Sequence, residues 1–255
     1  AHDFYLGSYA TLGVGAGLLP LPGQFFGGFR PFLAARRAEL DARRAELPDE
    51  PASPYDSHPA LADRVARIEA LPDDGRAAVG ARPSLELLSD ADAAMAALEP
   101  VALSPRALAL ERRDWADLVH ESMTHYVGRR ADRTREALAA EGVAPDAAAL
   151  LDAFDADPGL RGRLADRLPK SEEAAAATGR AAREYTRAAL RNALEGLVTT
   201  RIMAAGTARW QLSWSEETTL RYPSEAFEQS VEAALDAAVS DAPDTEPLRK
   251  LVLAP

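Results

Sequence analysis

The chain has 255 residues, with 40 acidic against 29 basic side chains, no cysteine and 47% hydrophobic residues, enough to bury a core in one large domain or two small ones. A formal net charge of -11 disfavours nucleic acid and anionic bilayers as partners, and the lack of cysteine removes disulfides, thiolate nucleophiles and cysteine-based metal sites. Alanine makes up about a fifth of the chain and nearly every cation is arginine, with Lys170 and Lys250 the only lysines, which points to a mostly helical protein.

Neither end carries a charged-then-apolar secretory signal. The uncharged stretch from Phe4 to Phe29 is long enough for a membrane helix, but it contains seven Gly and two Pro and reads as a loop over an apolar surface. The start at Ala1-His2-Asp3-Phe4, without an initiator Met or a polar leader, reads as a segment of a longer protein.

From Pro31 the pattern is helical, with Leu33, Leu40 and Leu47 one heptad apart and the phrase ARRAEL at 35–40 and again at 42–47. Two heptads fall short of a coiled coil, so one amphipathic helix is expected. Residues 48–58 form a Pro-, Asp- and Ser-rich linker. Pro59 opens a second helix, in which Leu61, Val65, Ile68 and Leu71 mark a buried stripe, ending at Pro72-Asp73-Asp74-Gly75.

Residues 72–105 are broken by Pro and Gly, with one helix around Asp90 to Leu98, so a domain boundary is expected near residue 100. Beyond it, Ser104-Pro105 starts a long helix to about Gly142, and a second runs from Pro145 to Phe154. A third runs from Ser171 to Ala205, its stripe carried by Leu190, Leu194, Leu197 and Val198. Arg209 to Tyr222 then alternates, with Trp210, Leu212 and Trp214 on one face, as a β-hairpin does. Helices at 224–239, with Ser224 as cap, and 246–253 finish the chain. The expected fold is mainly α: a helical bundle-like domain with one small β-hairpin at about 209–222, residues 1–100 and 101–255 forming separate parts.

The metal candidates are the carboxylates with His2, His58, His120 and His125. His120-Glu121-Ser122-Met123-Thr124-His125 is one residue longer than the zinc-protease helix HExxH, and five helical steps place the two imidazoles about 140° apart around the axis. Glu121, His125, Arg113, Asp117, Arg129 and Arg133 instead follow four-residue steps, the pattern of a salt-bridged solvent face. No metal is therefore expected in this chain, and no GxSxG or phosphate loop offers other chemistry; Gly13 to Gly17 lacks the GK[ST] ending. Trp210 and Trp214 are either a stacking pair for a ligand or the buried face of the hairpin.

The segment from Tyr55 to Ile68 resembles the terminal signature of the HtpX and CAAX-prenyl-protease type of membrane zinc metalloendopeptidase. In that signature a Ser/Thr-His-Pro-Pro run is followed by an acidic residue, Arg and an aliphatic. Ser57, His58, Pro59, Asp63, Arg64 and Val65 match, and Ala60 stands in place of the second proline. The helix, linker and apolar segment before it also look like the region after the catalytic core in actinobacterial members, so the resemblance covers residues 1–75. The WQLSW hairpin is a looser likeness to the same subgroup.

The resemblance implies a parent protein with an HExxH helix, a downstream glutamate ligand and transmembrane helices, none of which occurs in these 255 residues. There a zinc-bound water would attack a peptide carbonyl. Residues 1–100 would be the tail of the peptidase-like region and 101–255 a C-terminal helical domain, non-catalytic on their own, covering the cleft or binding a polypeptide substrate or protein partner. The chain's partners would include its own N-terminal catalytic and membrane domain, the zinc would belong to that parent domain, and family analogy puts the portion on the cytoplasmic side.

His58 and Arg64 are the substrate-cleft candidates carried over. His58 is expected at a polar cleft edge, although Ser57-His58-Pro59 is also good helix-start chemistry and Arg64 could equally pair locally. The apolar set Phe4, Tyr5, Leu6, Leu18, Leu19, Leu21, Phe25, Phe26 and Phe29 would pack on the missing catalytic domain. In its absence the segment is expected to be an intermolecular contact or the least protected part of the chain. A stand-alone helical protein-interaction module, without any peptidase, is the alternative.

Overall fold

The computed structural model describes residues 1–45, 59–72, 75 and 84–253. Helices dominate, and the β structure among these residues is two small two-stranded sheets, so the mainly α expectation holds while the sheet other than the hairpin was not expected. Among the described residues no helix is long and apolar enough to cross a membrane. The chain divides into two compact units: residues 1–11, 19–112 and 214–217 form unit 1, and residues 12–18, 113–213 and 218–255 form unit 2.

Unit 1 is built on most of the Gly-rich segment, residues 12–18 of which belong to unit 2. Helix α1 (His2–Tyr5) runs into a π-helical stretch, Leu6–Ala10; β1 (Leu18–Pro20), α2 (Gln24–Gly27) and α3 (Phe29–Ala35) follow. The expected loop over an apolar surface is thus corrected to a series of short helical turns. Gly17 and Gly23 take positive φ, which an L side chain rarely adopts, and these positions separate the turns. The aromatics they carry become the unit's own core. Tyr5, Tyr9, Leu19, Phe25 and Phe32 are buried, with the Tyr5 ring 5.3 Å from Phe29 and 5.6 Å from Phe32.

The expected amphipathic helix from Pro31 is two, because α3 ends at Arg36 and α4 (Arg37–Ala45) starts anew. Arg36 lies with its guanidinium 5.1 Å from the Phe4 ring centre and 5.4 Å from that of Phe32, and its Nε donates to the Trp214 carbonyl at 2.9 Å. Helix α5 (Leu61–Glu69) forms as the periodicity predicts, but its stripe is not buried: Ile68 and Leu71 are 67% and 66% exposed. The pattern specified a helix but had no packing surface among the described residues to close over it. Leu47, the linker at 48–58 and the helix-start residues Ser57 and His58 lie outside the described residues.

Helix α6 (Ala91–Ala102) is capped by Asp90, whose carboxylate accepts the Ala93 N–H at 2.9 Å, and runs past the expected end at Leu98 with Pro100 in its last turn. Its Glu99 is buried. Ser104 then caps only one turn, α7 (Pro105–Leu108), and β2 (Glu111–Arg113) pairs with β1.

The single helix expected from 104 to 142 is therefore split, and its second part, α8 (Trp115–Ala140), belongs to unit 2. Asp114 supplies a new start there, accepting from the Ala116 and Asp117 N–H groups at 2.8 and 3.0 Å. Helices α9 (Ala147–Ala156) and α10 (Leu160–Arg167) follow, the latter not anticipated. The helix expected from Ser171 to Ala205 is likewise two, α11 (Glu172–Ala176) and α12 (Gly179–Ala204), parted where Gly179 takes φ +59°. Strands β3 (Arg209–Gln211) and β4 (Thr219–Arg221) pair antiparallel with Trp210 opposite Leu220, inside the predicted hairpin. Helices α13 (Glu225–Ala238) and α14 (Glu246–Leu253) end the described chain, α13 capped by Ser224 as expected.

Unit 2's main core is centred on α12, whose Leu190, Leu194, Leu197, Val198 and Ile202 are buried with Leu138, Leu150, Phe154, Leu164, Leu235 and Leu248. Each such leucine contributes roughly 1.5–3 kcal/mol of burial free energy. Helices α8 and α12 come close where a side chain at Gly196 would start 3.7 Å from the Ala131 methyl. Trp210 and Leu212 pack over a smaller cluster of Leu18, Leu118 and Val119, the buried-face reading of the hairpin aromatics. Trp214 has a different role in unit 1, where it stacks on Tyr9 at 5.3 Å.

Candidate functional site

Unit 1 contains an apolar cleft of about 950 Å³. Helix α1 contributes Tyr5, α2 and α3 contribute Phe26, Phe29 and Leu33, and α6 contributes Met95. These are the apolar faces left over once Tyr9, Phe25 and Phe32 have turned into the core. Arg30, Arg37, Asp41, Asp92 and His2 stand among its lining residues, so both signs of charge ring an oily floor. The volume falls in the range of sites that take a drug-sized ligand or a few side chains, and the mix of aromatic walls with a few polar groups is what such sites share.

The cleft's floor is held by hydrogen bonds that leave the aromatics little freedom. The Tyr5 hydroxyl donates to the Phe25 carbonyl at 2.6 Å, and burial with the nearby Glu99 charge pushes the phenol's pKa well above its ordinary range, so it remains a donor. Glu99 accepts the Gly23 N–H at 2.7 Å and the Phe25 N–H at 3.2 Å through Oε1, fastening α2 to α6. Arg112 reaches the other carboxylate oxygen at 3.0 Å and the Pro20 carbonyl at 2.9 Å. These groups are engaged in holding backbone and contribute shape to the cleft, not acid–base chemistry.

Of the residues carried over from the family signature, His58 lies outside the described residues. Arg64 is exposed on α5, and among the described residues it makes no side-chain hydrogen bond or ion pair, so the local pairing considered for it is absent there. It does not line the cleft.

The HESMTH segment sits on α8 in unit 2, and its three candidates have separate surroundings. His120 Nδ1 accepts the backbone N–H of Trp210 at 3.2 Å, Glu121 takes the Arg113 guanidinium at 2.8 Å, and His125 is exposed. Burial first, and then the Arg209 charge, lower the His120 pKa against the opposing pull of Glu121 and Asp117. Among the described residues no group of three His, Asp or Glu is arranged to hold a metal. The four-residue charge stripe is paired only in part: Arg113 with Glu121 and Asp117 with Arg209, while Arg129 and Arg133 have no ion pair among the described residues.

The cleft itself was not found from the sequence. The apolar crowd at 4–29 was visible, but Met95 and Glu99 lie some 70 residues away in a helix with no marked polar face, and only their packing against α2 makes a pocket. The single local signal was a glutamate embedded in an Ala- and Leu-rich helix beside Pro100. Compared with known proteins, the chain matches no family model, no curated protein and no solved structure.

Proposed function

We propose that the chain is a non-catalytic, polypeptide-binding C-terminal portion of a membrane-anchored zinc metallopeptidase-like protein, placed on the cytoplasmic side. In this reading the unit 1 cleft receives an apolar side chain of a substrate or partner polypeptide. The observation that carries the binding role is the cleft, with apolar walls of Tyr5, Phe29, Leu33 and Met95 and the charged Arg30, Arg37, Asp41 and Asp92 among its lining residues. The link to a peptidase rests on the Ser57-His58-Pro59 and Asp63-Arg64-Val65 resemblance, and zinc chemistry belongs to the parent domain. Titration of the chain with short peptides carrying a central Phe or Leu tests the binding. Saturable binding weakened about tenfold or more by Met95→Arg is expected, and peptides that bind the variant as tightly as the natural chain would overturn it. Sequencing upstream of the Ala1 codon tests the peptidase part: an HExxH frame flanked by apolar spans of about twenty residues supports it. An upstream sequence without them leaves a stand-alone interaction module.

A further inference from the structure

Helix α5 leaves most of its apolar stripe uncovered among the described residues: Val65 is half-buried, and Ile68 and Leu71 are exposed. Leu71 continues the helical path, its N–H donating to the Ile68 carbonyl at 3.1 Å, and the three side chains fall within about 120° around the axis. Arg67 and Glu69, the neighbours of Ile68, stand about 100° to either side of it. The stripe therefore has a basic edge, extended by Arg64, and an acidic edge at Glu69, while Asp63 lies about 140° from Ile68 on the far side. Arg64, Arg67 and Glu69 make no side-chain hydrogen bond or ion pair among the described residues.

The unit 1 cleft supplies the complement. Of its charged lining residues, Arg37 lies 3.8 Å from Asp41 one helical turn on, and His2 is engaged with Asp3. Arg30 on α3 and Asp92 on α6 are exposed and make no side-chain hydrogen bond or ion pair among the described residues. One cation and one anion on separate elements, flanking an apolar interior, match the acidic and basic edges of the α5 stripe. Leu98 and Val101 form another exposed apolar face on α6, but Asp92 and the buried Glu99 are that helix's only charged residues, so it offers no such pair. Helix α4, whose Arg37, Leu40 and Asp41 line the cleft, ends at Ala45, and residues 46–60 lead from it to α5. A stretch of that length reaches ~50 Å at most, enough to bring α5 to the cleft of its own chain as an intramolecular event.

We propose that α5 docks in the unit 1 cleft of its own chain, an amphipathic helix laid in an apolar groove. Ile68 packs on Leu33 and Met95, with Glu69 toward Arg30 and Arg67 toward Asp92. The docked helix excludes other polypeptides until it is displaced, a regulatory role that rests on the polypeptide-binding reading of the cleft; the docking itself does not.

Because the natural chain has no cysteine, a pair of introduced cysteines reports the docking without background, and a disulfide forms only where the two Cα atoms come within about 7 Å. Leu33→Cys with Ile68→Cys, oxidised by glutathione at micromolar protein, should give a disulfide-bridged monomer about tenfold or more faster than Leu98→Cys with Ile68→Cys. Met95→Cys takes the place of Leu33→Cys if that variant folds poorly. Adding Arg30→Glu should slow the bridge about threefold, and adding Glu69→Arg to that variant should restore the rate, because the pair is then reversed and not lost. Bridged dimers in place of monomers, a Leu98 bridge that forms as fast, or charge variants without effect would each overturn the docking. In titrations with a peptide carrying a central Phe, Ile68→Asp should tighten binding about threefold or more by removing the competitor. Peptides that bind neither chain while the Leu33 bridge still forms would remove the polypeptide-binding reading and leave the docking. Peptides that bind both chains equally, with no bridge formed, would overturn the docking and leave that reading.

Discussion

Glu99 of α6 and Arg112 of β2 form an ion pair, Oε2 to Nη1 at 3.0 Å, in which the glutamate side chain is only 3% exposed and the arginine 20%. The two residues are 13 apart in sequence, yet the carboxylate's other oxygen serves backbone N–H groups more than 70 residues away, at Gly23 and Phe25. A buried charge pair contributes little net stability, because desolvation offsets its attraction, but breaking one side strands the other.

Glu99→Ala is therefore expected to cost unit 1 about 3–5 kcal/mol, since it takes the carboxylate from beside the Arg112 guanidinium and leaves two N–H groups without their acceptor. Urea unfolding followed by near-ultraviolet dichroism reads the loss, with hydrogen exchange at the Gly23 and Phe25 amides as a local reporter. A cost below about 1 kcal/mol, with both amides still protected, would show that water replaces the carboxylate without penalty.

Two glycines of the same segment should respond with opposite signs. At Gly23, φ is +83° and a methyl would lie 3.3 Å from the Asp92 carbonyl oxygen, so Gly23→Ala should destabilise by about 1–2 kcal/mol or more. At Gly7, in the helical stretch after α1, a methyl meets nothing within 4 Å and φ is not positive; Gly7→Ala should stabilise by about 0.4–1 kcal/mol. Thermal or urea midpoints of the two variants decide it, and equal effects contradict the assigned backbone.

The aromatic core of unit 1 predicts that residues 4–11 and 19–29 are well protected. Phe32→Ala, at a 2% exposed position surrounded by Tyr5, Tyr9 and Phe29, should cost about 3–5 kcal/mol. Hydrogen exchange of the natural chain should show slow amides at Tyr9 and Phe32. Fast exchange there, in a dilute monomer, would restore the view that the segment packs only against a partner.

His120 predicts an acid-sensitive contact in unit 2. Its neutral ring accepts the Trp210 N–H, and burial with the Arg209 charge holds its folded pKa below the ordinary imidazole value. The unfolded chain then binds the proton more readily. The contribution is present above about pH 6.5 and is lost as pH falls from there toward the lowered folded value. His120→Asn, which keeps an acceptor but does not titrate, should flatten that part of the stability profile. Urea midpoints measured from about pH 8 to 5 give the comparison, and an unchanged acid slope in the variant would assign the sensitivity to other groups.

The sequence by itself determined the secondary-structure class and the interior of α12. Alanine content and the recurrence of Leu190, Leu194, Leu197 and Val198 describe a helix with one buried face, and that face is buried. The Trp210 alternation determined a hairpin, and Ser224 a helix start, because both are encoded within a few neighbouring residues. Local signals were weaker at the breaks between helices, where the short strand β2 parts α7 from α8 and two residues part α11 from α12. Asp114 as a new cap and Gly179 at positive φ are visible as interruptions only once the backbone is traced.

Tertiary structure alone decided which apolar stripes are covered. Ile68 and Val231 occupy equally regular helical positions, but Ile68 is 67% exposed while Val231 is 2% exposed, because periodicity states that a face is apolar and not that a partner exists for it. The same holds for the unit 1 cleft. Tyr5 and Met95 are brought to one cavity by packing between segments some 90 residues apart, at loop-closure distances over which no short sequence pattern carries information. Burial of Glu99 follows the same logic: its three hydrogen-bond partners come from two places, the start of α2 and β2, and their convergence, not its neighbours in sequence, makes an interior carboxylate tolerable.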